Sequence, residues 1–70
     1  MKKLRMEQIN EIEYFGEAVI DGEKYTYKDY YYKSEIRKEG ELFARIDNRQ
    51  PLCVWDGGEA VWNEDRVEYV

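Results

Sequence analysis

The chain contains no histidine, a single cysteine (Cys53), a single proline (Pro51) and no apolar run near ~18 residues. Each absence excludes something. Without histidine the usual general base at neutral pH is missing, and so is the commonest zinc ligand. One cysteine cannot form a disulfide within the chain, and an unpaired thiol fits a reducing compartment. Between Leu52 and Val54, Cys53 reads as a small buried hydrophobe rather than a nucleophile. No segment is long and apolar enough to span a membrane as a helix. The N-terminus, MKKLRMEQINEIEYF, starts basic but reaches no apolar core, so no signal peptide is expected. A cytoplasmic protein is the expectation.

Catalysis has little to work with. Nucleophilic chemistry needs a nucleophile beside a base, and Cys53, Ser34 and Thr26 have no histidine to serve them. A metal would depend on carboxylates, and DGGEAVWNED lacks the alternating ligand spacing of a calcium loop. Paired carboxylates could hydrolyse a glycoside, but 70 residues offer hardly any cleft. The chain reads as non-enzymatic, with no cofactor.

What is present is charge and aromatic rings. The net charge is −5, and it is unevenly spread. Residues 7–23 hold six acids and no base, and residues 56–68 hold five acids against Arg66, while residues 24–49 hold seven bases and five acids. An acidic chain repels nucleic acid at long range and is drawn to basic surfaces. The same acid also serves solubility. Five tyrosines fall between positions 25 and 32 in EKYTYKDYYYK.

At 70 residues the chain makes one domain. Residues 1–8 read as a flexible or short helical N-terminus and residues 9–70 as a single small β domain. Asp21-Gly22, Glu39-Gly40 and Asp56-Gly57-Gly58 punctuate alternating apolar runs, and such pairs are strong hairpin signals. The pattern predicts an all-β fold, a small antiparallel meander of five or six strands, curled or barrel-like and of SH3 or OB size. The competing reading is α+β, with a helix over 27–39 capped by Thr26 and ended by Gly40.

A first strand is expected over 11–21, with Ile12, Tyr14, Gly16, Ala18 and Ile20 inward. A two-residue turn at Asp21-Gly22 then sets Ala18 opposite Tyr25, Gly16 opposite Tyr27, Tyr14 opposite Asp29 and Ile12 opposite Tyr31. On the outer face Val19 meets Lys24, Glu17 meets Thr26, Phe15 meets Lys28, Glu13 meets Tyr30 and Glu11 meets Tyr32. Tyr25, Tyr27 and Tyr31 are therefore assigned to the core, with Asp29 as a misfit among them. A Glu39-Gly40 turn pairs Ile36 with Phe43, and a kink is expected near residues 33–35. A Gly57-Gly58 turn pairs Trp55 with Ala60, Val54 with Val61 and Cys53 with Trp62. RVEYV supplies a last strand with Val67 and Tyr69 on one face.

This register suggests a candidate partner-binding set: Glu11, Glu13, Phe15, Glu17, Tyr30 and Tyr32. Alternate acids on a strand recur every ~6.6–6.8 Å, about every second phosphate of a DNA strand. With rings as anchors, such a row fits a basic nucleic-acid groove on another protein. The expected function is thus a protein-binding module, an acidic inhibitor of a nucleic-acid-handling enzyme of the kind phages and mobile elements encode. The same acids and tyrosines also fit an ordinary solvated strand face. Direct nucleic-acid binding is disfavoured, because the lysines among the tyrosines sit beside glutamates. Two alternatives remain: a single-strand or carbohydrate module using Tyr30, Tyr32, Trp55 and Trp62 as platforms, or a self-associating protein whose Trp55/Trp62 hairpin face forms a homodimer.

Overall fold

A computed structural model describes residues 3–70. Helix α1 (Met6–Phe15) is followed by strands β1 (Glu17–Ile20), β2 (Glu23–Tyr30), β3 (Lys33–Lys38) and β4 (Glu41–Asp47). Then come β5 (Cys53–Asp56), β6 (Glu59–Trp62), a 3-10 turn (Glu64–Arg66) and β7 (Val67–Tyr69). The fold is mainly β. Its main sheet is an antiparallel meander in the order β1-β2-β3-β4-β7, and β5-β6 form a separate two-stranded sheet. β1 and β7 remain as edges, so the curl does not close into a barrel.

The hairpins follow the turn chemistry. Asp21-Gly22 (φ 52° and 80°), Glu39-Gly40 (49° and 86°) and Gly57-Gly58 (60° and 89°) all place two consecutive residues in the left-handed region that primed turns require. The expected registers result: Ala18 faces Tyr25, Val19 faces Lys24 and Glu17 faces Thr26. In the small sheet Cys53 faces Trp62, Val54 faces Val61 and Trp55 faces Ala60. The turn at Tyr31-Tyr32 has no glycine and no positive φ, yet it joins β2 to β3 with Tyr30 opposite Lys33. Residues 27–39 are therefore strand, turn and strand, and the helix alternative there is overturned.

Helix α1 is the main departure. Residues 9–15 are helical, not the start of a strand. Met6, Ile9 and Ile12 recur every three residues and are buried against the sheet, which is the core stripe of an amphipathic helix. The helix stops because Gly16 takes φ 83° and its N–H reaches Ile12 O at 2.8 Å, a left-handed C-cap that glycine adopts without strain. The pairs Tyr14–Asp29, Ile12–Tyr31, Phe15–Lys28, Glu13–Tyr30 and Glu11–Tyr32 consequently do not form. Gly16 keeps its place beside Tyr27, whose N–H donates to Gly16 O at 2.9 Å.

The core lies between α1 and one face of the main sheet. Leu4, Met6, Ile9 and Ile12 meet Ile20, Tyr25, Ile36, Phe43, Ala44 and Ile46, with Ala18, Tyr27, Val67 and Tyr69 packed around them. The expected Ile36–Phe43 pair is shifted by one residue. Ile36 faces Ala44 and Arg37 faces Leu42, so Phe43 is the extra residue of a β-bulge. The bulge turns Phe43 and Ala44 to the same side, where Phe43 meets Tyr25 and Tyr69 edge-on at 5.2 and 5.4 Å. No kink interrupts residues 33–35, since the break falls at the Tyr31-Tyr32 turn instead.

Asp29 is accommodated by a polar network. It faces Ser34 across the β2–β3 ladder, and the fully buried Ser34 hydroxyl donates to Asp29 Oδ1 at 3.2 Å. Ser34 shares a hydrogen bond with the Tyr27 hydroxyl at 2.7 Å and accepts from Asn48 Nδ2 at 2.8 Å. A polar cluster thus ends the apolar core on the Tyr31-Tyr32 side and ties down the loop after β4.

Candidate partner-binding surface

The outer face of α1 is the side turned away from the sheet. At 100° per residue, Glu7, Glu11 and Tyr14 fall opposite the Met6–Ile9–Ile12 stripe, and Phe15 flanks them. Tyr14 and Phe15 are 80% and 69% exposed and touch edge-on with centroids 4.9 Å apart. Two large exposed rings thus stand on the last turn of the helix, next to an exposed carboxylate.

Glu7 lies in the first turn, where the helix dipole favours a carboxylate, and is 3.7 Å from Arg5 Nε, but no such local partner accounts for Glu11. Carboxylates near a helix C-terminus oppose the macrodipole, and α1 has no base in its last turn. Glu7 and Glu11, four residues apart on one helix face, repel each other. Glu13 is offset by Arg66, whose Nη1 and Nη2 donate to Glu13 Oε1 and Oε2 at 3.1 and 3.4 Å. Glu7 accepts from Trp62 Nε1 at 3.1 Å. Glu11 makes no ion pair among the described residues.

The six residues of the expected set do not form one row. Glu11, Glu13 and Phe15 belong to the helix, so the even strand spacing of acids is absent. Glu17 opens β1 and lies 3.8 Å from Lys24 Nζ, both well exposed. Tyr30 ends β2 on the open sheet face and Tyr32 lies in the following turn. Their neighbours are not glutamates: Tyr30 faces Lys33, and the Arg49 guanidinium is 5.6 Å from the Tyr32 ring. Arg49 is held in place by Asp47, whose carboxyl is kept below its ordinary pKa by the Arg49 side-chain and backbone hydrogen bonds. Gly16 O beside Tyr27 puts the helix end three residues, ~10 Å along β2, from Tyr30.

Two rings were missed by the strand register. Tyr14 and Tyr31, both assigned inward, are among the most exposed side chains, and Tyr31 meets Tyr32 edge-on at 4.5 Å. The signal for Tyr14 was present in Met6, Ile9 and Ile12 at helical spacing. Tyr31 carried none, because its turn lacks glycine.

The Trp55/Trp62 pair is split. Both side chains lie on one face of the small sheet with Cys53 and Ala60. Trp62 packs against the core and Glu7, whereas Trp55 is 79% exposed. Cys53, expected to be buried, is exposed as well. Among the described residues no cluster of potential ligands could hold a metal ion, and no helix is long and apolar enough to cross a membrane.

No family model, curated protein or solved structure matches the chain.

Proposed function

We propose that the chain is a non-enzymatic protein-binding module that docks through the outer face of α1 onto a basic surface of a partner protein. The observation that carries this reading is the exposed Tyr14–Phe15 pair at the end of a helix whose outer face is otherwise acidic. Rings of this size supply most of the anchoring energy in protein interfaces, and an α-helix presenting anchors at i, i+3 and i+4 is a recurring recognition mode. Glu11 stands at i with Tyr14 at i+3 and Phe15 at i+4. Glu17 and the net charge of −5 extend the same electrostatic preference. Tyr30 and Tyr32 form a second, flanking contact, with Glu13 serving the fold through Arg66.

A basic groove on a nucleic-acid-handling enzyme is the partner class that this charge and shape suit best. Inhibition is the activity such occupancy produces, and a small acidic inhibitor of phage or mobile-element type is the corresponding biological role. Affinity capture from the encoding organism tests the reading with three variants. Glu11→Lys and Phe15→Ala should each abolish recovery of a specific basic protein, while Val19→Ala on the open sheet face should leave it intact. Equal recovery with all three overturns it.

A second reading rests on the Tyr31–Tyr32 pair beside Arg49 and Lys33, a combination of stacking rings and bases that single-stranded nucleic acid can use. Quenching of tyrosine fluorescence by an oligonucleotide, lost in Tyr32→Ala, would favour it over the helix reading.

A further inference from the structure

The β5–β6 hairpin has a free edge whose chemistry suits a second copy of itself. Asp56 and Glu59 close the Gly57-Gly58 turn, so they form a hydrogen-bonded pair, and the pairs then alternate down the ladder. Val54–Val61 is the next bonded pair and Leu52–Asn63 the one after, as the 2.9 Å bond from Asn63 N–H to Leu52 O shows. Cys53 and Trp55 on β5 therefore turn their N–H and C=O groups away from β6. The corresponding groups of β6 belong to Ala60 and Trp62. That edge is hindered, because Trp62 packs on the core and Asn63 is buried, whereas every residue of β5 is exposed.

The β5 edge has little of the protection that edge strands usually carry. No lysine or arginine lies between Arg49 and Arg66, and β5 itself is uncharged until Asp56. Pro51, which has no N–H, is placed to end a pairing rather than to prevent one. An isolated two-stranded sheet is marginal in water, while a four-stranded sheet with an apolar face is not. β1 and β7, the edges of the main sheet, already belong to five strands, and β1 carries Glu17 and β7 Glu68.

We propose that β5 pairs antiparallel with β5 of a second copy about a twofold axis at Val54, joining two hairpins into one four-stranded sheet. In that register Cys53 exchanges backbone hydrogen bonds with Trp55 of the other copy, and the reverse. On one face Val61 and Val54 line up with their two counterparts as a continuous row of valines. Asp56 falls opposite the other copy's Leu52, so no like charges face each other across the new seam. The symmetry is closed, which gives a dimer and not a filament. This association does not rest on the helix-face reading and uses the other end of the sequence.

The register fixes the distance between the two Cys53 residues. They are diagonal neighbours, about 7–8 Å apart, too far for an unstrained disulfide but within reach of a short bis-maleimide. Wild-type protein at ~100 μM should sediment at twice 8.5 kDa, with or without reductant, and bis-maleimide should trap it as a covalent dimer. Val54→Lys sets lysine against lysine on the axis and should reduce cross-linking about tenfold. Val61→Lys, on the same face but one strand out, should change it less than about twofold, with far-UV circular dichroism unchanged in both. A wild-type monomer with no cross-link overturns the proposal. So does equal loss in the two variants, which would mean that hairpin faces stack instead of edges pairing.

Discussion

Arg66 reaches across the molecule from the 3-10 turn before β7 and grips the Glu13 carboxylate of α1 with both terminal nitrogens, 3.1 and 3.4 Å away. The side chains are 8% and 18% exposed, and Arg66 Nε is buried without a hydrogen-bond partner. This contact joins the two ends of the chain. It also explains how an acid is tolerated near the helix C-terminus. Removing Glu13 alone strands a buried guanidinium, so Glu13→Ala should destabilise the fold by about 3 kcal/mol. Glu13→Ala combined with Arg66→Met should recover most of that. Urea midpoints of the two single variants and the double variant decide it.

Ser34 gives a second prediction. Its hydroxyl sits between Tyr27, Asp29 and Asn48 with no exposed surface. Ser34→Ala removes one hydroxyl and leaves three polar groups short of a partner, a loss of about 1–2 kcal/mol. Thermal melts should show it, while Ser34→Thr should not restore full stability, because its extra methyl has no room at a fully buried site.

Alkaline pH tests the tie at the N-terminal segment. The Tyr69 hydroxyl donates to Leu4 O at 3.1 Å and accepts from Leu4 N–H at 3.2 Å. Burial raises its pKa above the ordinary tyrosine value, outweighing the opposing Leu4 hydrogen bond, with a smaller push from Glu64. The folded state then holds its proton more tightly than the unfolded state, so this contribution is complete below pH ~10 and declines as pH rises through the folded value. Denaturation profiles should fall less steeply above pH 10 in Tyr69→Phe than in the wild type.

Helix docking supplies the fourth prediction. Ile12 is fully buried and Glu11 beside it is exposed. Ile12→Ala should cost about 2–4 kcal/mol. Glu11→Ala should leave stability unchanged or slightly raised, since it relieves the unfavourable dipole and the repulsion from Glu7. A strand would bury Tyr14 beside Ile12, whereas in the helix its ring is 80% exposed, so Tyr14→Ala should cost far less than Ile12→Ala.

These contacts also show how far the sequence could be read. The three primed turns were visible because each places glycine where a positive φ is needed, and they carried the registers of 17–20 against 23–26 and 53–56 against 59–62. The last strand was visible in the alternation of Val67 and Tyr69. The helix was hidden because Ile12, Tyr14, Gly16 and Ala18 also alternate like a strand face. Met6 and Ile9 would have extended a helical period instead. Gly16 fits a strand residue beneath a ring equally well, yet it is the helix cap. The Tyr31-Tyr32 turn and the Phe43 bulge have no local signature, since neither uses glycine or proline; tertiary packing of Tyr25, Phe43 and Tyr69 supports the bulge. The candidate surface shares the helix error: the even row of acids is a property of a strand that does not form.

Docking through the helix face places Phe15 against the partner. A photo-cross-linking phenylalanine analogue placed at that position in the encoding organism should yield one discrete adduct with a basic protein, and Glu11→Lys should remove it. The same probe replacing Tyr31 should give that adduct weakly. No adduct from position 15, together with a strong one from position 31, would contradict docking through the helix face.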